Sequence, residues 1–181
     1  MTTHSTGALT TVESPMSGAV IQRQGNVGTI PVRVSTSAGG KLFVRLREGR
    51  SIVSGFTWRE IGQGDGDSII AELPDVPVGG EYTLELQLRS DGETLGRASV
   101  NHVLVGDIWI TGGQSNMDGF GKLINTEPPS KQVHALYFDD NWDTAADPLC
   151  WYNESIDPVH WSEEAPMQRR DAARQDRQLR K

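Results

Sequence analysis

Tyr82-Thr-Leu-Glu-Leu-Gln-Leu-Arg89 sets the fold of the first half of the chain. Tyr82, Leu84, Leu86 and Leu88 fall on one side of an extended backbone, and Thr83, Glu85, Gln87 and Arg89 on the other. Strict alternation over eight residues has the period of a strand with one face on a core and one toward water. Lys41 to Arg47 repeats the pattern, with Leu42, Val44 and Leu46 opposite Lys41, Phe43, Arg45 and Arg47. Four more stretches read as strands: 19–24, 29–35, 68–73 and 96–105. Turn signals separate them, among them Ala38-Gly39-Gly40, Pro77-Val78-Gly79-Gly80 and Ser90-Asp91-Gly92. Several short strands with this punctuation predict an antiparallel, immunoglobulin-like β-sandwich over residues 15–104, with Trp58 and the two leucine-rich sets in its core. Residues 1–14 read as a flexible lead. Asp65 and Asp67 have the spacing of two calcium ligands, but the other oxygen donors of such a loop are missing, so Gly62 to Asp67 reads as a hairpin turn.

The totals limit what such a chain does. The 181 residues suffice for one domain and part of a second, with 23% charged residues and 20 Gly. A formal charge of −7 argues against nucleic acid as the main partner. Arg169, Arg170, Arg174, Arg177, Arg180 and Lys181 against Asp171 and Asp176 give residues 166–181 a net of +4, which leaves −11 for residues 1–165. Cys150 is the one cysteine, so no internal disulfide forms, and it reads as a small buried apolar residue. No apolar run reaches the length of a membrane span, and the first residues lack the basic start and apolar core of a signal peptide. The expected location is therefore cytoplasmic unless a leader is missing. His4, His102 and His134 stand isolated, and no cluster has metal-ligand spacing, so neither metal nor cofactor is expected.

Past the last sandwich strand comes Val105-Gly-Asp-Ile-Trp-Ile-Thr-Gly-Gly-Gln-Ser-Asn-Met-Asp-Gly-Phe-Gly121. Ile108, Trp109 and Ile110 read as a short strand covered on both faces, as in a parallel α/β sheet. Gly112 and Gly113 permit a sharp turn after it, with Ser115 at the turn. Ser115 there is either a helix cap or a nucleophile beside free backbone N–H groups. Gly113-Gln114-Ser115-Asn116-Met117 resembles the first block of the SGNH/GDSL-type hydrolases, nearest the sialate O-acetylesterase-like carbohydrate esterases. It is not the Gly-x-Ser-x-Gly elbow, because Met117 stands at the second glycine.

The resemblance implies a serine esterase that removes O-acetyl groups from carbohydrate, with no cofactor and an acetylated sugar as substrate. It implies Ser115 as nucleophile, the Ser115 N–H in the oxyanion hole, and Gln114 and Asn116 in support of the site. It also implies that residues 105–181 are the start of an α/β, flavodoxin-like SGNH domain, so that the whole chain is of mixed class. Val133 to Phe138 is expected as a second strand of that sheet, and 163–181 as a polar helix with a thin apolar face of Met167, Ala172, Ala173 and Leu179.

The family's oxyanion Gly and Asn blocks have no counterpart here, so the 181 residues are expected to lack part of the catalytic machinery. Asp157-Pro158-Val159-His160 has the spacing of the family's Asp-x-x-His pair. Relatives, however, carry a similar stretch soon after the nucleophile and the pair much farther on. The loop 142–161, with Trp142, Trp151 and Trp161, is therefore expected to shape a substrate cleft. The alternative from a different class is a non-catalytic β-sandwich binding or interaction module followed by an inactive hydrolase fragment.

Overall fold

The computed structural model describes residues 3–113, 124–125, 127–147, 149–150 and 155–157. These form strands and loops, with no helix among the described residues. The contacts divide the chain into two units, 1–108 and 109–181.

The first unit holds ten strands: β1 Thr3–Gly7, β2 Leu9–Ser14, β3 Val20–Gln24, β4 Val27–Thr36, β5 Gly39–Glu48, β6 Ser51–Ile52, β7 Arg59–Asp65, β8 Ser68–Pro77, β9 Gly79–Ser90 and β10 Glu93–Gly106. The order β2-β4-β3-β10-β9-β5-β6 runs through hydrogen-bonded neighbours, with β8 on β4, β1 on β10 and β7 on β5. Every pairing is antiparallel except that of β3 with the end of β10, which is parallel. Side chains of β4 and β8 and side chains of β5, β9 and β10 belong to a single buried cluster. The two halves of the sheet therefore lie face to face as two layers over one core, with β3 hydrogen-bonded to both β4 and β10.

The alternation decides which residues fill that core. Leu42, Val44 and Leu46 of β5 and Leu84, Leu86 and Leu88 of β9 are each 0–1% exposed, as expected from their spacing. Ile30, Val32 and Val34 of β4 meet them from the other layer in the same cluster. Five of the six stretches read as strands lie within strands that run longer, and the sixth, 19–24, is β3 without Ala19.

Three expectations for this unit are corrected. The lead is not flexible: β1 and β2 occupy Thr3 to Ser14 and pair with β10 and β4, and Leu9 is fully buried. A Thr- and Ser-rich segment with one apolar anchor carries little local signal. It is held by strands 19 to 97 residues away in sequence, and such partners leave no mark on its own composition. Gly96 makes the crossing possible, because a Cβ there would stand 2.4 Å from the backbone nitrogen of Leu9. Trp58 is not in the core but half-buried on the outer face. It sits under Arg45, which points away from the core between Val44 and Leu46, with the guanidinium carbon 4.7 Å from the ring centroid. Arg89 adds a second cation at 5.3 Å. Gly62 to Asp65 belongs to β7, which the sequence did not suggest, and the turn tightens to Gly66 and Asp67, with Gly66 at φ +105°.

In the second unit β11, His134–Leu136, pairs antiparallel with β12, Trp142–Thr144. The expected strand at 133–138 is thus seen at His134–Leu136 as one arm of an antiparallel hairpin, and among the described residues no parallel strand pairs with it. Tyr137 is 3% exposed and pins the hairpin base. Its hydroxyl accepts the Ala146 N–H at 2.9 Å and lies 3.2 Å from the Thr144 carbonyl. The expected helix at 163–181 lies outside the described residues.

Candidate active site

The chain reaches the serine block from the end of β10. Leu104, Val105 and Gly106 run beside Val20, Ile21 and Gln22 of β3. This register sets Arg23 next to Asp107. The guanidinium Nε and Nη2 donate to the two carboxylate oxygens of Asp107 at 2.8 and 3.0 Å, a bidentate fork. Gln22 Oε1 accepts the Ile108 N–H at 2.9 Å. The hydrogen bonds from Arg23 hold the Asp107 carboxyl below its ordinary range, with the cation's charge and Gln22 adding to them against the cost of desolvation. The same pairing raises the Arg23 guanidinium. Both partners remain substantially exposed, so the pair fixes geometry more than it stabilises the fold.

Beyond Asp107 the expectation of a covered strand is corrected. Residues 107–113 form no strand, and Trp109 and Ile110 are 85% and 95% exposed. No described strand pairs with them, and a segment without a ladder partner has nothing to hold it extended and covered. A Cβ at Gly112 would meet nothing within 4 Å, and the turn expected at Gly112 and Gly113 leads into residues outside those described. Gln114, Ser115 and Asn116 lie outside the described residues, as do Trp151, His160 and Trp161.

A cavity of about 360 Å³ in the second unit is lined by Tyr137, Phe138, Asp140, Ser155, Ile156 and Asp157. Ser155 is buried and its Oγ accepts the Asp157 N–H at 3.0 Å, while the Ile156 N–H donates to the Phe138 carbonyl at 3.1 Å. These bonds tie 155–157 to the end of the hairpin and set Asp157 at the cavity wall. Phe138 and Ile156 are partly exposed apolar side chains on the same wall. Apolar surface beside carboxylates suits the ring faces and hydroxyls of a sugar.

The remaining singled-out residues fall elsewhere. His102 is not isolated: at φ +60° on β10 its Nδ1 stands 2.9 Å from Glu81 Oε1. His4 is exposed on β1. Cys150 is only partly buried, which corrects the expectation of a buried apolar residue. Among the described residues no group of three His, Cys, Asp or Glu side chains could hold a metal ion. Sequence reasoning missed Arg23 and Gln22, the residues that hold the approach to the serine block. The parallel register of β3 on β10 makes them neighbours of Asp107, and nothing local to Gln22 and Arg23 announces it.

Residues 105–166 match the family described as "Carbohydrate esterase, sialic acid-specific acetylesterase". This is the family that the Gly113–Met117 block resembles, and the match covers that block. No curated protein matches the chain. Among solved structures the chain is similar to a carbohydrate acetylesterase from Xanthomonas citri at 31% identity, over 60% of this chain and 22% of that one, with a TM-score of 0.36. It is similar to an engineered protein at 21% identity, over 57% of this chain and 20% of that one, with a TM-score of 0.36. The chain therefore spans about a fifth of the length of each of these structures.

Proposed function

We propose that the protein is a serine carboxylester hydrolase that removes O-acetyl groups from carbohydrate, with Ser115 as its nucleophile. The observation that carries this reading is the match of residues 105–166 to the sialic acid-specific acetylesterases across Gly113-Gln-Ser-Asn-Met117. In this reading the ten strands from Thr3 to Gly106 are an immunoglobulin-like sandwich, and the segment that follows opens an SGNH-type α/β domain. The Arg23–Asp107 fork and the Gln22–Ile108 bond hold the chain where it leaves β10, eight residues before Ser115.

The Ser115 oxygen attacks the acetyl carbonyl carbon, and the carbonyl π pair moves onto oxygen. The Ser115 N–H donates to that oxyanion, and Gln114 and Asn116 support the site. A histidine base takes the hydroxyl proton and returns it to the sugar oxygen as the C–O bond to the sugar breaks. Water, deprotonated by the same histidine, then attacks the acetyl carbon; the bond to the Ser115 oxygen breaks, the histidine returns the proton to that oxygen, and acetate leaves. In the family that the serine block resembles, an Asp-x-x-His pair supplies this base; in this reading Asp157 and His160, which share its spacing, belong to the loop that shapes the cleft.

Hydrolysis of an aryl acetate by the full-length protein tests the reading. Ser115→Ala is expected to lower kcat by roughly 10³-fold or more with the melting temperature unchanged. Turnover unchanged by this substitution would overturn the assignment. A second reading, a non-catalytic sandwich module that binds carbohydrate, is favoured by a cavity on the outer face of the first unit that sets charged side chains beside apolar surface.

A further inference from the structure

That cavity, of about 260 Å³, lies where β1 and β10 pass alongside β9 and β5. Its lining includes His4, Trp58, Glu85, Gln87, Arg97 and Ser99. Gln87 is only 6% exposed although it alternates onto the outer face. Arg89 fixes its orientation, donating from Nε at 2.9 Å and Nη2 at 2.6 Å to Oε1. Two donors on one oxygen identify that atom as the carbonyl, which leaves the Gln87 amide NH₂, with no protein partner among the described residues, to line the cavity. The Arg97 guanidinium is exposed at the rim and likewise has no partner among the described residues. Glu85 is the one carboxylate in the wall, and Arg45 and Arg47 both engage it. Its charge is thus met from one side, and it does not repel an anion entering from the other.

We propose that this cavity is a non-catalytic binding site for a single carboxylate-bearing sugar residue. The groups left over after the protein's own pairing are donors: a guanidinium, an amide NH₂ and the His4 imidazole. An anionic ligand is what such a surplus recognises, and a planar guanidinium pairs with a carboxylate through two parallel hydrogen bonds. Trp58 supplies an apolar edge for a ring face, as aromatic side chains do when one side is dry and the other wet. The volume falls just under the roughly 300–1,000 Å³ of drug-sized sites, which limits the occupant to one sugar unit. The choice of a sugar rests on the proposed function; the site itself involves no residue of the serine block.

The test is titration of N-acetylneuraminate into the full chain carrying Ser115→Ala, followed by saturation-transfer NMR. N-acetylmannosamine, which lacks the carboxylate, serves as the neutral comparison. Saturable binding is expected, with the neutral sugar at least tenfold weaker. Arg97→Gln, at an exposed position where the fold is not at stake, is expected to weaken N-acetylneuraminate at least tenfold. Aryl acetate hydrolysis by the Arg97→Gln protein with Ser115 intact is expected to be unchanged, so failure of this site and failure of the Ser115 assignment read out separately. Absence of saturable binding would overturn the proposal, as would equal affinity for the neutral sugar or affinity indifferent to Arg97→Gln.

Discussion

Strands β4, β5, β8 and β9 bury every second side chain into one shared cluster, whereas the stretch from Ile108 to Ile110 exposes three large apolar residues in succession. Both stretches are rich in Ile, Leu, Val or aromatic residues, so composition does not separate them. Partners do. Leu86 meets Val44 across the β5 and β9 ladder and the β4 side chains across the layer, all within the same unit. Ile110 has no paired strand among the described residues. A period of two specifies burial only where the facing half of the core is also present, and the first unit contains both halves of its own core.

The largest effect that would break this comparison is in the core. Leu86→Ala is expected to cost about 2–5 kcal/mol by denaturant unfolding, because a fully buried leucine leaves a cavity that its neighbours only partly fill. The same substitution applied at Ile110 should leave stability within about 0.5 kcal/mol, as for an exposed side chain away from any buried network. Equal costs at the two positions would show that the contrast in burial carries no energetic weight.

A smaller effect separates core from rim within the first unit. Tyr82 is buried, and its hydroxyl donates to the Pro77 carbonyl at 3.1 Å. Burial, and secondarily the charge of Glu48, pushes its phenol above the ordinary value. The unfolded chain then loses this proton from about pH 10 while the native state keeps it, so stability falls as pH rises from there through the native value. Tyr82→Phe is expected to cost about 0.5–1.5 kcal/mol at neutral pH and to remove that alkaline decline. A decline that persists unchanged in Tyr82→Phe would assign it to another group.

The smallest effect lies at the junction. Asp107 has a lowered pKa, so its contribution is present above the unfolded carboxylate value near pH 3.9 and is lost as pH falls through the native one. Asp107→Asn should shift the acid limb of the stability curve slightly and make it less dependent on salt, since exposed pairs are screened. An acid limb identical in both proteins at low salt would mean that the fork with Arg23 does not form in solution.

The contrast also governs what was legible in the sequence. Leu42 to Leu46 and Leu84 to Leu88 announced their strands and their core face, because the period of two is a local property. β1, β2 and β7 did not, since Thr- and Gly-rich segments become strands only through partners distant in sequence. Trp58 misled for a different reason: an indole satisfies a core or a cation equally well, and Arg45 decided the matter from the outer face of β5. At the candidate site, the family resemblance was legible in the five-residue block around Ser115, and the family match over residues 105–166 agrees with it. Arg23 and Gln22 were not, because a parallel register between β3 and the end of β10 is set by the whole layer.

The most direct test of the account is where a serine-directed fluorophosphonate attaches. The full-length protein, treated with the probe, digested and mapped by mass spectrometry, is expected to carry one adduct, on Ser115 within the peptide that contains Gly113-Gln-Ser-Asn-Met117. Labelling should vanish in Ser115→Ala. An adduct on a different serine, or an unmodified Ser115 in protein that hydrolyses acetyl esters, would contradict it.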